Sequence, residues 1–172
     1  GIKSSRNVQV ALHVIAQYVT VRNNIFDGTG SDNDYAAIEV VSEGSQPAPV
    51  GVEVYNNTIY RSDNSSGYSR YGIIIRETAS ETIVKNNLIS FPGSNVPTEA
   101  IRNMSSDLVE TNNLFTDTPG FIDPDNSNPL LTNFNLQSGS PAIDAGGNVP
   151  VHEDIDNTQR PLENYDIGAY EN

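Results

Sequence analysis

The stretch Val52–Arg61, VEVYNNTIYR, reads as a β-strand except for the two asparagines at its centre. Asparagine is depleted in strands, so Asn56 and Asn57 need a reason for standing between Val54 and Ile59. The same frame occurs four times: VTVRNNIF, VEVYNNTIY, TIVKNNLIS and LVETNNLF. The first asparagines fall at Asn23, Asn56, Asn86 and Asn112, separated by 33, 30 and 26 residues. That spacing fits one supersecondary unit repeated with loops of variable length. Upstream of three pairs lies another apolar run, YAAIEVV, YGIIIRE or AIRNM. Each unit is therefore strand, variable turn, strand, Asn-Asn, strand, loop.

Three short strands per unit, with no helix to cross back over a sheet, predict a solenoid whose coils pair in parallel about 4.8 Å apart. The asparagines then acquire a role. A sharp corner between strands needs a backbone conformation that Asn tolerates well. Stacking the coils places each Asn side chain above the next, where amides hydrogen-bond in a ladder. The expected ladder is Asn23, Asn56, Asn86 and Asn112.

Composition agrees with an all-β chain. Its 172 residues suit one sizeable domain, and two Lys and one Met against 13 Gly and 10 Pro leave little helix-forming material. No long apolar run is present, which excludes a helical membrane span. The absence of Cys excludes disulfide, thiolate and Cys-ligated metal chemistry. A net charge of -13 repels nucleic acid and leaves a uronate polymer in need of a local basic patch or a bridging cation. The chain opens in mid-pattern at GIKSSRNVQV, without a basic-then-apolar leader, and reads as the C-terminal part of a longer chain.

The second half narrows the fold. FNLQSGSPAIDAG (134–146), then DIDNTQRP and a closing YDIGAYE, resembles the C-terminal ending of secreted bacterial right-handed parallel β-helix proteins of pectate-lyase-like architecture. The resemblance implies a right-handed parallel β-helix with a C-terminal cap, extracellular or cell-surface localisation, and a polysaccharide partner. It implies activity poorly, because the same ending accompanies different chemistries. The resulting map has four coils over 1–116, a loop and last coil over 117–146, and a closing segment over 147–172. A β-helix exposes raw strand edges at its ends, and the N-terminal edge shows no cap of its own. Preceding coils or another chain are expected to cover it.

Chemistry on such a fold belongs to side chains pointing outward from one stacked sheet. Leu12, Ile75 and Ile101 each lie 11 residues before their asparagine and should point inward, which turns His13, Arg76 and Arg102 outward. Pattern matching across a longer turn adds Glu39. The stripe His13, Glu39, Arg76, Arg102 suits an anionic sugar: arginine pairs with carboxylates, and His13, Arg76 or Arg102 could serve in proton transfer. Substrate binding would fall to Glu39, Arg76 and Arg102. A solvated row of cross-coil ion pairs explains the same residues. Acidic loops offer a second site type: Asp27, Asp32 and Asp34, or Asp154 and Asp156 beside Glu153, for Ca²⁺. Two functions follow. One is a polysaccharide-binding or polysaccharide-degrading protein, lyase-like on an acidic glycan or else a glycoside hydrolase. The other is a non-catalytic adhesin or fibre module that stacks through its open end.

Overall fold

The computed structural model describes residues 3–5, 12–28, 36–60, 71–92, 99–128 and 131–172. The described residues form strands, turns and loops without a helix, so no helix is long and apolar enough to cross a membrane. Strand β1 (Lys3–Ser5) is followed by four three-stranded coils. The first holds β2 (Leu12–Val14), β3 (Thr20–Arg22) and β4 (Ile25–Asp27). The second holds β5 (Ile38–Val40), β6 (Glu53–Tyr55) and β7 (Thr58–Tyr60). The third holds β8 (Ile73–Ile75), β9 (Ile83–Lys85) and β10 (Leu88–Ser90). The fourth holds β11 (Ile101–Asn103), β12 (Val109–Thr111) and β13 (Leu114–Phe115).

Equivalent strands stack in parallel into three sheets: β2-β5-β8-β11, β3-β6-β9-β12 and β1-β4-β7-β10-β13. This is the parallel β-helix expected from the repeat. The register runs Leu12, Ile38, Ile73, Ile101 in the first sheet and Phe26, Ile59, Ile89, Phe115 in the third. These residues face the axis, and with Val14, Val21, Val40, Val54, Ile75 and Val84 they build the central apolar core. Strand alternation does the rest: in the first three coils one face of each three-residue strand is apolar and closes inward.

The two asparagines of each pair divide the work. Asn23, Asn56, Asn86 and Asn112 have φ between 51 and 58°, the left-handed conformation that Asn tolerates better than most side chains. They make the corner. The ladder expected of them is built instead by the second asparagines. Asn24 Nδ2 donates to Asn57 Oδ1, Asn57 Nδ2 to Asn87 Oδ1, and Asn87 Nδ2 to Asn113 Oδ1, each at 2.9 Å. Each of these acceptor oxygens also takes the backbone N–H of the asparagine donating to it, at 2.9–3.1 Å. The amides of Asn57, Asn87 and Asn113 also donate to Val21, Val54 and Val84 carbonyls. The left-handed corner explains the exchange, since it turns the first side chain out of the coil and the second one in.

Those outward-turned first asparagines hold the closing segment. Asn112 Nδ2 donates to Ala145 O, Asn86 Nδ2 to Gly147 O, Asn56 Nδ2 to Asp166 O and Asn23 Nδ2 to Glu153 O. The C-terminal cap therefore lies along the flank of the stack, touching all four coils, rather than across its last coil. The antiparallel pair β14 (Phe121–Asp123) and β15 (Asn133–Leu136) begins it. Phe121, Phe134 and Leu136 pack with Ile167 and Tyr170 on the outer side chains Ile25, Tyr60 and Leu88 of the third sheet. Tyr60, Phe121 and Phe134 meet edge to face, with centroids 5.2–5.6 Å apart. The Tyr60 hydroxyl donates to Asp125. A second cluster seats Val149, Val151 and Tyr165 against Tyr55. Gly168 permits a close approach: its φ is +109°, and a Cβ there would stand 2.8 Å from Thr58 Oγ1.

These roles separate under mutation. Asn87→Ala deletes a wholly buried amide and strands partners above and below, so it should cost about 3 kcal/mol or more in urea unfolding. Asn112→Gly keeps the left-handed corner at an exposed site and should change stability by no more than about 1 kcal/mol. Equal losses would contradict the assignment.

Candidate functional site

The outward positions of the first sheet line up as His13, Glu39, Ile74 and Arg102, paired one coil to the next. The expected stripe is thus corrected at one place. Ile74, fully buried, holds the third position, and Arg76 lies two residues further along. The turn 76–82 has seven residues, whereas 15–19 and 104–108 have five, so counting back 11 from Asn86 stops two residues short. A slip of two keeps the side chain on the same face. Arg76 therefore still joins the row, diagonally.

Three of the four expected residues come together. The carboxylate of Glu39 is buried and accepts Nε and Nη2 of Arg76. His13 Nε2 lies 3.0 Å from the other oxygen of Glu39, and its Nδ1 lies 2.9 Å from Glu43 Oε1. Each ring nitrogen of His13 thus faces a carboxylate oxygen. The result is a chain of polar contacts, Glu43, His13, Glu39, Arg76, ending where Arg76 Nη1 reaches the Met104 sulfur at 3.9 Å. Arg102 stands apart: its guanidinium lies 5.2 Å from the centroid of the Tyr71 ring, a cation–π contact, and it forms no ion pair among the described residues. Glu43 and Tyr71 were not singled out from sequence. Glu43 sits inside the twelve-residue turn 41–52, where no periodicity indicates which face a side chain will reach.

Of the expected cation ligands, Asp27, Asp154 and Asp156 lie within the described residues. Asp32 and Asp34 lie outside the described residues. Asp27 is buried on β4, opposite Tyr60. Asp154 is buried and already engaged: its Oδ1 accepts the N–H groups of Asp156 and Thr158 at 2.8 Å, and its Oδ2 accepts that of Glu171. Asp156 contributes a backbone N–H to this turn. No group of three or more His, Cys, Asp or Glu suited to a metal occurs among the described residues. The pair Asp154 and Asp156 is thus corrected from a Ca²⁺ loop to a structural turn.

That turn belongs to a buried charge cluster that explains the C-terminal motif. Arg160 donates to the carboxylate of Glu171 and to the carbonyls of Gly168 and Asp166. Asp166 accepts the N–H groups of Asp144 and Asn172. Burial raises the Glu171 carboxyl from 4.5 to about 7, against the opposing pull of Arg160. Burial likewise raises Asp166.

At the first coil a hollow of about 620 Å³ opens, lined among others by Leu12, Val14, Val21, Glu153, Ile155 and Asn157. Its walls combine core side chains of the coil end with the polar groups His13, Arg22, Glu153 and Asp154. No known protein family, curated protein or solved structure matches the chain.

Two measurements check these clusters. Glu39→Gln removes the charge shared by Arg76 and His13. Arg76 keeps some access to water, so the expected loss is about 1–3 kcal/mol, below that of a fully buried pair. For Glu171 the folded value lies above the unfolded one. Its contribution is complete below pH 4.5 and lost as pH rises through about 7. The melting temperature of Glu171→Gln relative to wild type should therefore rise across that window. A difference that stays constant would refute the shift.

Proposed function

We propose that the chain is an extracellular β-helix protein that binds an acidic polysaccharide along the outer face of the β2-β5-β8-β11 sheet. One observation carries this reading: the outward row His13, Glu39, Ile74, Arg102 repeats at coil spacing, with Arg76 and Tyr71 beside it. A linear glycan offers hydroxyl and carboxylate groups at regular intervals; Glu39 and Ile74 are buried, so His13, Arg76 and Arg102 are the groups available to meet them. The polar groups are held in place by one another, so little ordering accompanies binding.

Electrostatics supports the same face. The protein carries a net charge of -13 and repels an anionic polymer on average. Here Arg76 and Arg102 stand against Glu39 and Glu43, so the formal charges of the row balance. Arg102 is the docking cation, with a planar fork matched to a uronate carboxylate. Arg76 and His13 are engaged with glutamates, and a lyase-type base would first have to leave its partner. Binding is accordingly the function the geometry supports better than elimination. The C-terminal resemblance to secreted β-helix proteins adds an extracellular setting.

Affinity electrophoresis through gels containing polygalacturonate, alginate or a neutral glucan tests this. Retardation is expected in the uronate gels, reduced about tenfold in apparent affinity by Arg102→Ala, a loss of about 1.4 kcal/mol. Ultraviolet absorbance of the unsaturated product, followed in parallel, reads out elimination. Migration unchanged in every gel would overturn the proposal.

A further inference from the structure

In the first three coils the wall turns twice on left-handed residues. One corner carries the asparagine pairs. The other lies two residues ahead of the second sheet, at Tyr18, Gly51 and Glu81, with φ of 55, 63 and 52°. Backbone bonds tie these positions into a column: the Tyr18 N–H donates to Val50 O at 2.8 Å and the Gly51 N–H to Ser80 O at 3.0 Å. Any residue but Pro supplies such an N–H. The corner therefore asks only for a residue that accepts positive φ, which Gly does freely and a bulky aromatic does not. At the other corner Asn meets the same need in all four coils.

Tyr18 is thus a strained occupant, and its side chain lies outside the core, 76% exposed. A singly exposed aromatic is ordinary on a protein surface, but one held against its backbone preference is retained for its side chain. The next coil makes room for it. A Cβ on Gly51 would stand 2.8 Å from Tyr18 Cδ1 and 3.1 Å from Cε1, so the ring reaches along the stack over a position kept bare. Gln17, beside it, donates to Ala48 O and ties this turn to the longer turn of the second coil.

Hydrogen-bonding groups stand next to the ring. Val52 is fully buried, so Gly51 and Glu53 face outward on either side of it, about 6–7 Å apart. The Thr20 hydroxyl donates to the Glu53 carboxylate at 3.0 Å, and no cation pairs with that carboxylate among the described residues.

We propose that Tyr18, with Glu53 and Thr20, is a binding platform for a neutral pyranose ring. The electron-rich face of the tyrosine takes the C–H face of the sugar, while an edge hydroxyl of the sugar donates to Glu53. An aromatic ring already standing in place loses little freedom on binding. The carboxylates of Glu53 and, one coil further, Glu81 repel a uronate from this spot. The platform therefore differs from the first-sheet row in both residues and ligand, and neither depends on the other.

Amide NMR of the protein titrated with cellohexaose, mannohexaose, galactohexaose and hexagalacturonate tests this. The Tyr18, Gly51 and Glu53 amides should shift saturably with at least one neutral hexaose and less with hexagalacturonate. Tyr18→Phe should keep that response, and Tyr18→Asn should weaken it about tenfold. Tyr18→Asn should also melt no lower than wild type, because Asn accepts the corner; a ring kept for packing would instead lower the melting temperature on removal. Amides that ignore all three neutral hexaoses would overturn the proposal. So would a stronger response to hexagalacturonate, binding indifferent to Tyr18→Asn, or a Tyr18→Asn variant that melts lower.

Discussion

The buried asparagine ladder is the constraint on which the rest of the structure depends. An amide at the core side of a corner has no water to satisfy it, so its donors and acceptors must all be met by protein. Asn57 and Asn87 meet this demand only if the coils above and below bring their own asparagines to the same height and azimuth. Each corner therefore fixes the phase of its neighbours. Once the phase is fixed, the turns are free to vary, and they do: from five residues at 15–19 to twelve at 41–52. The strands stay in register regardless, because their position is set at the corner and not by the length of chain before them.

The first asparagine of each pair converts the same corner into an attachment point. Its left-handed backbone sends the side chain outward, where four such amides reach four separate points of the closing segment. The C-terminal ending is thus a lateral strap. Its polar residues have structural employment: Asp154 organises a turn, Arg160 is held by Glu171 and backbone carbonyls, and Gly168 lets the chain approach Thr58. That accounts physically for an ending that speaks for a fold more than for a reaction. Its charged residues brace the strap internally, while its backbone meets the coils through the first asparagines and Thr58.

The architecture was legible because it rests on repetition, and repetition survives variable loops. The four Asn-Asn pairs in an apolar frame located the coils and the strands before and after them. The outward face was legible for a similar reason, since period-two alternation tolerates an error of two residues at Arg76. Three features were hidden. Which asparagine points inward depends on the handedness of the corner, which residue type alone does not reveal. The chain of polar contacts needed Glu43, whose reach is set by a long turn without periodicity. The acids of HEDIDN looked like cation ligands because a carboxylate that accepts backbone N–H groups and one that binds a metal share the same loop composition.

The polar face of the first sheet shows why a wholly buried carboxylate is tolerated there. Glu39 lies between two coils, where an unpaired charge would be prohibitive, yet its oxygens are divided between Arg76 on one side and His13 on the other. The pairing crosses coils, so it adds side-chain ties to three regions of sequence that the parallel ladder β2-β5-β8 already joins. Isolated pairs of this kind contribute little when exposed, but burial removes the screening that weakens them and makes their geometry strict. The face is consequently stiff in the direction along the stack. Arg102, resting on Tyr71 at the far end of the row, is the cation whose charge is not spent on a described carboxylate. The row is locally balanced, and among the described residues it ends in a guanidinium that no carboxylate engages.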